Sequence, residues 1–195
     1  TGKGCHAAMP ESGIDTIVIA TALVQQLQTI VARNVPAAQP LVLSVTQIHA
    51  GSAYNVIPDS ATITGTVRYF DRATAEMVTR RMQEICKGLA TAYGIEIELD
   101  MRNVFDVLEN DPALSDAMVA AAQEFVGEKA VIKTDVVMGS EDFADMLQRV
   151  PGAYCTIGHA GSVPLHNPGF VFDDEVLPLG SAIMARMVET RGAAA

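Results

Sequence analysis

Residues 61–94 constrain the fold more than any other stretch, because a two-residue period gives way there to a 3.6-residue period. In ATITGTVRYF, Ala61, Ile63, Gly65, Val67 and Tyr69 fall on one side and Thr62, Thr64, Thr66 and Arg68 on the other. That alternation describes a strand with one buried face. DRATAEMVTRRMQEICKGLATAYG follows at once, with Val78, Met82, Ile85, Leu89 and Tyr93 on one side and Gly94 as its stop. This is the stripe of an amphipathic helix.

The flanking segments extend the pattern. A short strand is expected around residues 3–7, then a helix in IDTIVIATALVQQLQTIVARN with Ile17, Val24, Leu27 and Val31 inward. LVLSVTQIHA reads as a buried strand, GSAYNVIPD as a hairpin turn, and IEIELDM as a strand exposed on one face. Strand, helix, strand, strand, helix, strand predicts an α+β module, two helices on one face of a four-stranded antiparallel sheet, ending near Asp106. The remainder, 107–195, reads differently. NDPALSDAMVAAAQEFVG has Asp111 as cap, Pro112 at the first helical position and Gly127 at the end. Short strands (AVIKTD, AYCTIG), a helix from GSEDFADML and a closing helix that starts at DDE and ends in ARMVETR suggest part of an α/β layer.

Charge and cysteine content exclude some classes. The net charge is −10, and the acid is uneven: residues 1–106 carry 8 Lys/Arg against 10 Asp/Glu, residues 107–195 carry 5 against 13. Nucleic acid is not the expected partner of such a chain. Cys5, Cys86 and Cys155 are scattered and odd in number, which is no disulfide framework and points to a reducing, cytoplasmic setting. The most apolar segment, residues 14–32, is interrupted by Asp15, Gln25, Gln26 and Gln28, so it is expected to be a core helix, with no membrane partner. No secretory signal is read at Thr1.

Few residues offer chemistry. The histidines His6, His49, His159 and His166 form no close pair of the HxH or HExxH kind, so no complete metal site is legible. A lone histidine is more often a hydrogen-bonded structural residue than a ligand. His166 stands out because Pro164 and Pro168 stiffen its loop, and a ligand needs rigid geometry. Glu141 and Asp142 are expected in the first turn of a helix, either as plain dipole partners or as an acid at a cleft wall. Arg68 is either solvated or a bidentate clamp for a carboxylate.

Taken in order, GKGCHAAMPESGID, HAGSAYNVIPDSATITGTVRYFD, MGSEDFA and PLHNPGF resemble the motifs of M20-type metal-dependent amidohydrolases and peptidases, specifically the hippurate hydrolase and N-acyl-amino-acid amidohydrolase branch. Thr16 departs from the pattern, since proline is common there in the family. The resemblance implies a lid or dimerisation domain over 1–106, its first strand truncated, and the C-terminal portion of an α/β zinc-peptidase-like catalytic domain over 107–195. It implies that a catalytic N-terminal segment, with a Cys-x-His pair, paired glutamates and a further histidine, is missing, so this chain alone is expected to be inactive. By the same resemblance His166 is a metal ligand, His6 polarises the scissile carbonyl, and Asn55 and Arg68 hold the substrate's carboxylate. Glu141 matches an acidic position beside the active site, with no role assigned. The implied cofactors are two divalent ions per complete site, zinc or manganese. The implied partners are an N-acyl amino acid or dipeptide-like substrate and a second copy of the chain. The alternative is a non-catalytic dimerisation or binding module derived from such an enzyme.

Overall fold

The structure is a computed structural model that describes residues 1–132, 135–158, 161 and 163–192. The chain forms two compact units, Thr1–Val107 and Leu108–Ala195.

In the first unit, β1 (Cys5–His6) is followed by a tight turn at Pro10–Ser12 and by α1 (Thr16–Asn34). Next come β2 (Leu41–Ala50), β3 (Val56–Ile57), β4 (Ala61–Tyr69) and α2 (Arg72–Tyr93). Local chemistry sets the helix ends. The Asp15 carboxylate accepts from the Ile17 and Val18 amides, and the Asp71 carboxylate from the Thr74 amide, supplying acceptors that a helix start lacks. Gly94 closes α2 in the left-handed region at φ 64°.

The expected single sheet of four strands, the last of them over 95–101, does not form, and β3 arises inside the stretch expected to be a hairpin turn. Among the described residues the strands make two antiparallel pairs, β1 with β3 and β2 with β4. The break falls at Pro58–Ser60, where Pro58 has no amide to donate. Asp59 there accepts from the Gly2 amide through its carbonyl and from the Gly4 amide through Oδ1, at 2.8 and 2.7 Å. Residues 95–101 form no strand, although Ile97 and Leu99 still pack against the core. Their backbone contact is with the chain start, where the Thr1 ammonium donates to the Glu96 carbonyl at 2.7 Å and the Glu96 amide donates back at 3.1 Å.

The core joins Leu27 and Ile30 of α1, Leu41 and Leu43 of β2, and Val78, Met82, Ile85 and Leu89 of α2. Strand β2 is buried only at Leu41 and Leu43 and is exposed from Thr46 to Ala50, not buried throughout, and it carries a bulge between Val45 and Gln47. Gly65 lies opposite, where any Cβ would collide with the Ser44 carbonyl, so glycine is needed for close approach. Helix α1 buries Ile19, Ala20, Leu27 and Ile30, while Ile17 is 45% exposed and Val24 and Val31 are half-buried. The expected face holds at Leu27 but not at Ile17, because residues 16–24 are apolar nearly all round, which blurs the stripe. By length and composition α1 is long and apolar enough to cross a membrane, yet it packs against α2, β2 and β4. Thr16 is buried and donates its hydroxyl to the Pro58 carbonyl at 3.0 Å, a bond that proline there could not make.

The second unit contains α3 (Pro112–Val126), α4 (Phe143–Leu147) and α5 (Val176–Gly192). Asp111 caps α3 by accepting from the Leu114 amide at 2.9 Å. Helices α3 and α5 pack together, Met118, Ala121 and Ile183 are buried, and Arg186 pairs with Glu124 at 2.8 Å. Two expectations fail here. Residues 153–158 and the described part of 130–135 form no strand. Helix α5 begins after Asp173–Glu175, which form a turn in which Asp173 accepts from the Glu175 amide.

Candidate functional site

One corner of the first unit gathers two of the residues singled out above. Pairing of β1 with β3 sets His6 opposite Val56 and Cys5 opposite Ile57, and the Ala7 amide donates to the Asn55 carbonyl at 3.0 Å. His6 and Asn55 thus sit on adjoining backbone segments about 5 Å apart, although 49 residues separate them in sequence. Gly4 makes the approach possible, since a Cβ there would lie 2.8 Å from both the Asp59 carboxylate and the Ile57 carbonyl. Both side chains are exposed. Beside them is an open, mostly apolar depression lined by Ala7, Ile17, Ala50, Ala53, Tyr54 and Val56. Tyr54 is 102% exposed there.

The imidazole of His6 is held by its own turn. Its Nδ1 accepts from the Ala8 amide at 3.1 Å, and its carbonyl accepts from the Met9 amide at 2.8 Å. His49 lies on β2, where Nε2 meets the Gln47 side-chain carbonyl at 3.2 Å, an exposed surface contact.

Arg68 is not part of this corner. It pairs with Val42 at the far end of the β2–β4 ladder, whereas Ala61 pairs with Ala50 at the near end. Seven residues of strand correspond to roughly 23 Å. Within one protomer, the sheet therefore holds Arg68 well away from His6 and Asn55.

In the second unit Glu141 precedes α4 instead of occupying its first turn; its carbonyl accepts from the Ala144 amide at 3.2 Å. Asp142 stands at the cap position without a side-chain capping bond. The Tyr154 phenol has its pKa raised above its ordinary value by burial first, and then by the neighbouring Glu141 carboxylate. Tyr154 is clamped in turn. Asn110 donates to its carbonyl at 2.9 Å and accepts from its amide at 2.8 Å, and the Phe143 ring lies 5.9 Å away. Neither Asn110 nor Tyr154 carried a sequence signal, because the clamp joins residues 44 apart through tertiary contact.

His166 is exposed and has φ 66°, alone among the described non-glycine residues in having a positive φ. Two successive turns hold it: the Asn167 amide donates to the Pro164 carbonyl, and the Phe170 amide to the Asn167 carbonyl. Non-glycine residues in this region are uncommon and concentrate at functional positions. His159 lies outside the described residues. Among the described residues, no group of three or more His, Cys, Asp or Glu side chains is placed to hold one ion. His166 is a single donor, and catalytic zinc sites use about three protein ligands. The residues described here do not make a metal site by themselves.

Residues 1–94 match the peptidase dimerisation domain of the M20 type. The chain is 34% identical over 186 residues to the N-acetylcysteine deacetylase of Bacillus subtilis, covering 95% of this chain and 48% of that protein. It is 35% identical over 187 residues to the hippurate hydrolase of Campylobacter jejuni, covering 95% and 49%. A solved Bacillus subtilis structure, described as a dinuclear metal-binding peptidase of the M20 family, superposes with a TM-score of 0.71 at 28% identity, covering 95% of this chain and 47% of that one. The chain spans about half the length of the curated relatives it matches.

Proposed function

The chain belongs to the M20 peptidase family, its first 94 residues matching that family's dimerisation domain, and on that premise we propose that it is the C-terminal portion of a metal-dependent amidohydrolase that cleaves the amide bond of N-acyl amino acids such as hippurate. The observation that carries the proposal is the corner in which β1 and β3 set His6 beside Asn55. An imidazole and a carboxamide exposed beside an apolar depression suit a substrate with an amide carbonyl, a carboxylate and an apolar acyl group. In this reading His6 donates to the scissile carbonyl oxygen as negative charge develops there, and Asn55 donates to the carboxylate.

The distance of Arg68 from that corner supports a homodimer. If His6, Asn55 and Arg68 all act on one substrate, Arg68 comes from the partner, and the two lids meet so that its guanidinium forks the carboxylate that Asn55 also holds. The second unit is read as the C-terminal part of the catalytic domain. Val131, Ile132, Val136 and Val137 are all more than half exposed, and apolar side chains so exposed suit a surface covered by a larger layer. Water activated by divalent ions, zinc or manganese, is the nucleophile in this reading. His166 is the donor assigned to them in this reading, and a cytoplasmic setting fits the chain's free cysteines.

A second reading, a non-catalytic dimerisation or binding module, is favoured by the lack of a three-donor group among the described residues. Two measurements separate the readings. The 195-residue chain, dialysed and analysed for metal, should retain no stoichiometric zinc or manganese and should not cleave hippurate. The full-length protein should bind about two ions and cleave N-acyl amino acids. A full-length protein that binds metal but hydrolyses no N-acyl amino acid would remove the amidohydrolase reading.

A further inference from the structure

The amides around His6 are all committed, and that has a chemical consequence for its ring. The Ala7 N–H donates to the Asn55 carbonyl, the Met9 N–H to the His6 carbonyl, and the Ala8 N–H to the His6 Nδ1 at 3.1 Å. A backbone amide can only donate. Nδ1 must therefore present its lone pair to Ala8, since a proton on Nδ1 would set two hydrogens face to face. In a neutral imidazole the single proton then resides on Nε2. His49 makes the contrast: its Nε2 faces a side-chain carboxamide, which can turn over, so its tautomer is not settled by its partner.

We propose that the Ala8 backbone N–H locks His6 in the Nε2–H tautomer, so that this histidine serves as a hydrogen-bond donor to the substrate and neither as a general base nor as a metal ligand. Neither ring nitrogen has a free lone pair. Nδ1 is occupied by Ala8, and Nε2 carries the proton. Binding an ion at Nδ1 would require the Ala8 bond to break. Ala8 is thus a positioning residue that acts through its backbone, and the role in turnover rests on the reading of His6 given above. The geometry explains why a short strand and a tight turn surround His6. Pairing of β1 with β3 occupies the Ala7 amide, and the turn presents the next amide to the ring.

The test begins with the tautomer. The chain is labelled with 15N-histidine, and two-bond 1H–15N correlations of the ring are recorded above neutral pH, with His6→Gln used to assign the signal. We expect an unprotonated Nδ1 and a protonated Nε2 for His6. A proton on Nδ1, or averaged nitrogen signals, overturns the lock. Ala8→Pro removes the donor, and the His6 signals should then move toward the averaged pattern; no change would also overturn it. In the full-length protein, His6→Gln keeps an N–H donor, so its kcat should exceed that of His6→Ala by tenfold or more with KM little changed. Equal losses in the two variants would sink the donor role while leaving the tautomer result standing. Full turnover in His6→Ala would instead remove the reading of His6 as a catalytic residue.

Discussion

Replacing His166 by glycine and by alanine separates backbone strain from ligand chemistry at one position. His166 holds φ 66° with an exposed side chain, so truncation removes little packing. A side chain bearing a Cβ costs about 1–2 kcal/mol in the left-handed region, a cost that glycine avoids. Glycine in turn gives the unfolded chain more freedom, worth about 0.4–1 kcal/mol against it. The difference leaves His166→Gly about 0.5–1 kcal/mol more stable than His166→Ala. For a unit of this size, that is a rise of a few degrees in Tm. Urea unfolding of the two variants followed by circular dichroism, with thermal scans in parallel, measures the gap. Metal content and turnover of the full-length protein should fall alike in both variants, because each removes the imidazole. An alanine variant as stable as the glycine variant would refute the strain argument. Unchanged metal content in both would refute the ligand assignment, whatever the stabilities.

Three further outcomes are expected. Ile30 is 0% exposed at the centre of the first unit's core, so Ile30→Ala should cost about 2–5 kcal/mol; a change below about 1 kcal/mol in urea unfolding would mean that this core is not packed as described. The Asp71 carboxyl is held below its ordinary value of 3.8 by the Thr74 hydroxyl and amide and by Gln39, and Asp106 is lowered by its bond to Arg72. A depressed carboxylate contributes stability that is present above about pH 4 and lost as pH falls through the folded value. The urea midpoint should therefore drop more between pH 5 and pH 3 in the parent than in Asp71→Asn, and equal slopes would count against the cap. In the full-length protein, Arg68→Ala should raise KM for substrates with a free carboxylate and leave ester analogues unchanged; equal effects on acid and ester would remove the clamp.

Much of the molecule was legible where the interaction is local. Asp111, Pro112 and Gly127 mark both ends of α3, and Gly94 ends α2, because a cap involves residues within one turn of each other. The alternation in β4 and the stripe in α2 were readable for the same reason. Tyr93 was the exception: it is 44% exposed at the last turn, where the core no longer covers the helix. The buried face of α1 was not readable, because Ile17, Val18 and Ile19 are equally apolar and only the position of β2 and α2 selects Ile19. At the candidate site, His6, Asn55, Arg68, Glu141 and His166 were singled out through motif resemblance and residue chemistry. Their grouping was not.

The sequence by itself determined where α2 and α3 start and stop, that β4 alternates, and which few side chains offer imidazole, carboxamide or guanidinium chemistry. These follow from bonds and periodicities spanning a handful of residues. Only the tertiary structure decided that the four strands divide into two pairs, that His6 lies beside Asn55 and far from Arg68, and that Asn110 clamps Tyr154 next to Glu141. Pairing partners are chosen among all segments at once, by burial and backbone hydrogen bonding, and periodicity within one segment carries no record of that choice.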